Sequence, residues 1–109
     1  MRLAIFGSRC ITDIDISLYI PDNVTEIVSG GAVGVDTLAA EFADAKGIPV
    51  VVFLPEYEKY GRAAPIVRNK RIAEYSDCGL ALWDGKSRGT ASTIKLFEKS
   101  GKNVKVIII

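Results

Sequence analysis

The chain predicts an α/β fold with one parallel five-stranded sheet and helices on both faces. Short apolar runs recur at residues 2–6, 25–29, 48–54, 78–83 and 104–109, and the segments between them show helical spacing. Glycine-bearing turns follow the first, second and fourth runs, where strands give way to other structure. The intervening segments are long enough for right-handed crossovers, so the strands can pair in parallel. Rossmann-type winding then sets the order 3-2-1-4-5, a three-layer sandwich with its crevice between strands 1 and 4.

Each element has its own justification. Residues 2–6 read as a buried strand ended by Gly7-Ser8-Arg9. In residues 11–20, Ile11, Ile14 and Leu18 fit a short helix capped near Asp13 or Asp15 and stopped before Pro21, although the Ile/Asp alternation also fits a strand. After the second strand, Leu38, Phe42 and Ala45 recur at helical spacing, which predicts a helix over Val35–Lys46 closed by Gly47. Residues 48–54 are apolar apart from Pro49, which suits a strand start, and predict a strand buried on both faces. Residues 55–64 read as irregular. Pro65 then suits the first turn of a helix carrying Ile66, Val67, Ile72 and Ala73. The strand at 78–83 passes through Asp84-Gly85-Lys86-Ser87-Arg88-Gly89 into a helix over 90–100, stopped by Gly101, and the last strand closes the sheet. No linker, repeat or low-complexity tract interrupts the pattern, so residues 1–109 read as one domain.

Composition narrows the function. The 109 residues are 49% hydrophobic and 25% charged with a formal charge of +1, ordinary for a globular protein and too balanced to recruit nucleic acid or a membrane by net field. No apolar run reaches the length of a membrane span, and Met1 to Phe6 meets Gly7 too early for a signal peptide, so the expected compartment is the cytoplasm. Histidine is absent, which removes Ser-His and Cys-His nucleophile systems and histidine-ligated zinc. Cys10 and Cys78 have no metal-ligand spacing, and no metal or cofactor is expected. They are also predicted unbridged. Cys10 lies beyond the carboxyl end of strand 1 and Cys78 begins strand 4, levels roughly 17–20 Å apart, whereas a bridge needs Cα atoms within about 7 Å.

Ligands in such sheets bind outside the carboxyl ends of the strands at the switch point. The segments meeting there are Gly7-Ser8-Arg9, residues 29–36, Trp83-Asp84 and residues 87–90. In the second of these, Gly30, Gly31 and Gly34 leave backbone amides unshielded before a helix start. Unpaired amides and the positive end of a helix dipole form an anion site. Taken singly, each turn is equally a tight connection that binds nothing. Two aimed at one crevice, with an arginine, suffice for a phosphate, so a phosphorylated small molecule is the natural reading. Gly85-Lys86-Ser87 is not a P-loop tail, because Gly79 is one residue too far upstream and lies in a strand. Gly7-Ser8-Arg9 lacks the G-x-G-x-x-G spacing and strand 2 ends in Ser29 rather than an acid, which argues against nicotinamide dinucleotides. Arg68-Asn69-Lys70-Arg71 is the densest basic patch, ordinarily a solvated helix face. If residues 57–64 fold over the crevice as a lid, Arg68 and Asn69 point inward and Lys70 and Arg71 outward. Trp83 is either core or a stacking platform. Asp36 either caps its helix or bonds a ribose hydroxyl.

Taken together, Gly7-Ser8-Arg9, Ser29-Gly30-Gly31-Ala32 with Gly34-Val35-Asp36, Tyr60-Gly61, Pro65 with Arg68-Asn69, and residues 83–90 resemble the SLOG superfamily, in its short stand-alone YspA-like branch. The resemblance covers nearly the whole chain. It implies a Rossmann-like fold that binds a nucleotide or nucleotide-derived ligand, as a sensor or carrier, through Gly7, Ser8, Arg9, Gly30, Gly31, Ala32, Gly34, Asp36, Arg68, Asn69, Trp83, Ser87, Arg88, Gly89 and Thr90. It also implies kinship with LOG enzymes, which cleave the ribosyl bond of nucleoside 5′-monophosphates, and with DNA-processing proteins that bind single strands. LOG enzymes carry Gly-Thr, two residues and a catalytic Glu. Here Gly89-Thr90-Ala91-Ser92 leads to Thr93, and Lys86-Ser87 replaces their preceding Gly-Gly pair. Arg68 falls where their helix arginine is expected. Phosphate binding therefore carries over and hydrolysis does not, unless Asp36 or Asp84 supplies the carboxylate with Arg68 beside it. Single-strand binding is disfavoured by the near-neutral charge. Homo-oligomerisation stays open.

Overall fold

The computed structural model describes residues 1–109. Strands β1 (Arg2–Gly7), β2 (Glu26–Ser29), β3 (Val50–Val52), β4 (Cys78–Trp83) and β5 (Val104–Ile108) form one parallel sheet in the order β3-β2-β1-β4-β5. The helices are α1 (Val35–Lys46), α2 (Tyr57–Tyr60), α3 (Ala64–Tyr75) and α4 (Arg88–Lys99). The expected sandwich and winding are both present.

Alternation along the strands builds a separate core on each face of the sheet. Leu3 and Ile5 of β1 join Ile27, Leu80, Leu82 and the inner residues of α1, Val35, Ala39 and Ala43. Ala4 and Phe6, one residue out of phase, join Val28, Ala81, Ile72 and Ala73 of α3 and Phe97 of α4. Fully burying a large apolar side chain contributes about 1.5–3 kcal/mol. β1, β2 and β4 each supply buried residues to both cores, in keeping with their place in the middle of the sheet.

Several elements depart from expectation. Residues 11–20 yield only a 3-10 turn, Ile16–Tyr19, whose N-cap Asp15 accepts from the Ser17 amide at 3.0 Å. The capping residue was legible; the helix is shorter because Ile20 already returns to extended backbone ahead of Pro21. The strand expected over 48–54 is reduced to Val50–Val52 and is not buried on both faces. It lies at the sheet edge; Val50 packs on the core beside α1, while Val52 remains 48% exposed. An apolar run reports membership of a sheet but not depth within it. Residues 55–64 are ordered as α2 and a 3-10 turn, Gly61–Ala63. The last helix begins at Arg88 rather than Thr90, because the Asp84 carboxylate takes the Lys86 and Ser87 amides and starts the turn early. α1 ends at Gly47 as expected.

Both cysteines are free. Cys78 opens β4 opposite Leu3 of β1, while Cys10 lies past the other end of β1, beside Asp84. No helix is long and apolar enough to cross a membrane.

Candidate functional site

The carboxyl ends of β1, β2 and β4 open into a cleft of about 510 Å³, within the usual range for small-ligand sites. Of its 17 lining residues only 4 are hydrophobic, which suits a ligand rich in oxygen atoms rather than an apolar one. Phe6 and Ile72 come from the core beneath it.

β1 delivers Gly7, Ser8 and Arg9 to the cleft. Ser8 is buried, and it stitches the two central strands together. Its N–H donates to Leu82 O at 3.0 Å, and its Oγ accepts from the Asp84 amide at 3.0 Å. The chain after β2 then packs against the backbone after β1. Gly34 has φ 79°, and a Cβ there would lie 2.5 Å from Arg9 O, so both the conformation and the contact require glycine.

Arg68 is the side chain that joins the far wall of the cleft to the glycine turn. Its guanidinium donates to Gly30 O at 2.9 Å and, through Nε, to Asn69 Oδ1 at 2.7 Å. A Cβ on Gly30 would fall 2.6 Å from the Arg68 guanidinium nitrogen, so the missing side chain makes room for the arginine. Arg68 and Asn69 do face the cleft, but the lid expected over it is absent. α3 contributes Pro65, Arg68, Asn69 and Ile72, and no residue of 57–64 lines the space. The helical spacing i, i+3, i+4, i+7 alone puts these four on one face. Residues 55–60 instead fold back outside, where Arg71 pairs with Glu56 and donates to the Tyr60 hydroxyl at 3.1 Å.

The two carboxylates of the cleft are set in opposite ways. Asp36 does not cap α1. Its Oδ2 accepts from the Ala32 amide at 3.0 Å and so closes the glycine turn. Burial pushes its pKa above the ordinary value, against the pull of the Ala32 and Gly30 amides and of the charges on Arg68 and Arg9. Asp84 accepts from the Ser87 and Lys86 amides, both at 2.8 Å, and these bonds lower its pKa to about 2. Asp84 is therefore ionised at neutral pH and occupied in holding a turn.

The linkage signs are opposite too. The depressed pKa of Asp84 adds stability above the unfolded carboxylate pKa, and that stability is lost as pH falls toward 2. The raised pKa of Asp36 makes its ionised form a cost, incurred as pH rises through the folded value. Asp36→Asn is expected to raise the melting midpoint by a few degrees at neutral pH. The gain should vanish near about pH 3, where the wild-type carboxyl is itself protonated in both states. Melting curves at the two pH values check this; a lower midpoint at neutral pH would show that Asp36 is a net stabilising counter-ion to the arginines.

At the start of α4 the amides of Arg88, Gly89 and Thr90 make no hydrogen bond within the chain, and Ser87 supplies no side-chain cap. Ser87 Oγ instead accepts from Thr90 Oγ1 at 3.2 Å. Ser87, Gly89 and Thr90 line the cleft, so the open helix end faces it. Thr93, one turn on, is buried at the same wall with its hydroxyl donating to Gly89 O at 2.9 Å. Of the remaining sequence candidates, Ala32 and Gly30 line the space, while Gly31, Gly34, Trp83 and Arg88 do not. Gly31 packs toward Val52 and Leu54, and the Trp83 indole donates to Ser87 O at 3.0 Å, a structural role. Cys10, Pro65, Ile72 and Phe6 line the cleft and were not singled out as binding residues. Helical spacing from Arg68 could have found Pro65 and Ile72. No group of three or more His, Cys, Asp and Glu side chains is arranged to hold a metal ion.

A parallel sheet in this order, with a polar cleft at its switch point and a helix start opening on it, defines a Rossmann-like α/β domain whose cleft lies where such sheets bind ligands. Residues 1–60 match the family YAcAr, described as the YspA, cpYpsA-related SLOG family, and the chain belongs to it. No curated protein and no solved structure gives a significant match. The matched stretch holds Gly7 to Arg9 and the glycine turn. Arg68, Asp84 and the start of α4 lie beyond it, and their place in the site rests on geometry. Membership of the SLOG superfamily suggests a nucleotide-related function in general.

Proposed function

We propose that this cleft binds a nucleotide or nucleotide-derived phosphorylated ligand, and that the chain is a cytoplasmic sensor or carrier rather than a hydrolase. The observation that carries the reading is the convergence of Arg68 and the open amides of Gly89 and Thr90 on one small polar space. An anion at a helix start gains about 0.3–1 kcal/mol from the dipole and up to roughly 2 when partly buried. Charge-assisted bonds from an arginine add on the order of 1.5–3 kcal/mol each. A phosphate satisfies both, and Asp36 or Asn69 offers partners for sugar hydroxyls. The test is thermal shift against a panel of nucleotides and sugar phosphates. A ligand at a hundred times its dissociation constant adds about 2.7 kcal/mol, on the order of 10 °C for a domain of this size. A panel in which nothing moves the midpoint removes the main support.

One observation favours a second reading, a nucleoside-monophosphate glycosidase: Asp36 and Asp84 line the same cleft. Against it, a carboxylate with a pKa of about 2 is a poor base at neutral pH, and Thr93 carries no charge to oppose an oxocarbenium ion. Wild-type protein is expected to release no free base from a bound monophosphate, with activity appearing, if anywhere, in Thr93→Glu. Robust wild-type turnover that Asp36→Asn or Asp84→Asn abolishes would establish the enzyme instead.

A further inference from the structure

The two edges of the sheet are protected very differently. β3 is 3 residues long, preceded by Pro49 and followed shortly by Pro55. Short strands and prolines are how natural sheets blunt an edge. β5 runs Val104-Lys105-Val106-Ile107-Ile108 with no proline, no glycine and a single charge. Its inner side is in use. Asn103 O accepts from the Gly79 amide at 2.9 Å and the Ile109 amide donates to Trp83 O at 2.8 Å. With the register from Gly79↔Val104 to Trp83↔Ile108, this phase turns the amides of Lys105 and Ile107 toward β4. The amides and carbonyls of Val104, Val106 and Ile108 therefore point out of the sheet. The apolar side chains here are also uncovered: Val106 is 37% exposed and Ile108 62%.

We propose that β5 pairs antiparallel with β5 of a second copy of this chain, about a two-fold axis through Val106, so that the two sheets become one. The outward-facing set is symmetric about Val106, so a second copy of the same strand satisfies every outward group at once, and the placing of the one charge favours that register. Val106 meets its own mate, and Val104 meets Ile108 of the second copy. Each of these pairs exchanges both N–H···O bonds, leaving no outward group of the strand unpaired. Lys105 falls opposite Ile107 of the second copy, so the only charge on the strand does not face its like. An isologous contact requires a self-complementary patch, and this edge is one.

Sedimentation over a range of concentrations should show a reversible dimer of the wild-type chain. Val106→Pro removes the outward N–H without touching the ladder to β4, and Val106→Lys sets two ammonium groups at the axis. Both variants should be monomeric with unchanged circular dichroism, and Val106→Lys decides the matter if the proline variant does not fold. Val106→Cys should cross-link under mild oxidation beyond the wild-type level, since mates in such a pair have Cα atoms about 5.5 Å apart. Val104→Cys should not, because its mate lies four residues along, roughly 13 Å away. A wild-type monomer at every concentration, a dimer that survives Val106→Lys, or equal cross-linking of the two cysteine variants overturns the proposal.

Discussion

Replacing Arg68 with alanine is expected to weaken binding of a phosphorylated ligand about ten- to 150-fold, while Lys70→Ala changes it by less than about a factor of two. The larger figure is a lost charge-assisted bond of roughly 1.5–3 kcal/mol converted to affinity. The smaller reflects an exposed charge in high dielectric. Both side chains belong to one basic run on α3, but only Arg68 lines the cleft, anchored to Gly30 O and Asn69. Arg68→Lys should fall between the two, since it keeps the charge and loses the planar fork. Titration calorimetry with one nucleotide from the panel, beside melting curves to confirm folding, makes the comparison. Equal effects at Arg68 and Lys70 would reduce the whole patch to a solvated helix face.

Phe97→Ala is expected to cost about 3–5 kcal/mol of folding stability, a large share of the 5–15 kcal/mol typical of a domain. Phe97 has no exposed surface, and its ring stacks on Phe6 with centroids 5.6 Å apart. Gly79 leaves space on β4 beneath it: a Cβ there would lie 3.3 Å from the Phe97 ring. Removing the ring opens a cavity that rigid strands cannot fill. Because Phe6 also lines the cleft, ligand affinity should fall along with stability. Denaturant unfolding gives the number. A loss below about 1 kcal/mol would mean that α4 is not packed on the sheet as described.

The two substitutions mark different depths of legibility. Phe97 sits in a helix that the sequence places between the glycine-bearing turn after the fourth strand and Gly101. The parallel order, the ends of α1 at Val35 and Gly47, and the bounds of β4 came from local signals of the same kind: period, crossover length, glycine and proline. These are written in neighbouring residues, so a single sequence carries them. The inward direction of Arg68 was also available, from its i, i+3, i+4, i+7 relation to Pro65, Asn69 and Ile72. A lid of residues 57–64 would turn Arg68 the same way, but those residues do not line the cleft.

What period and turn signals could not reveal was decided by the path of the folded backbone, both within single turns and between residues far apart in sequence. The apolar run at 48–54 says strand, but only the strand order makes β3 an exposed edge. Asp36 reads from the sequence as either a helix cap or a partner for a ribose hydroxyl, and only the folded glycine turn offers it the Ala32 amide. Asp84 reads as a free acid at a strand end until two amides of its own turn lower its pKa to about 2. The Arg68–Gly30 contact spans 38 residues, and the guanidinium lies in the space that a side chain on Gly30 would enter. Backbone period and turn chemistry determine the elements through short-range sterics and hydrogen bonding. Burial and the convergence of a binding site depend on which distant groups share a volume once the sheet has closed, and proton affinity depends on the burial and the amides that the folded backbone presents to each carboxylate.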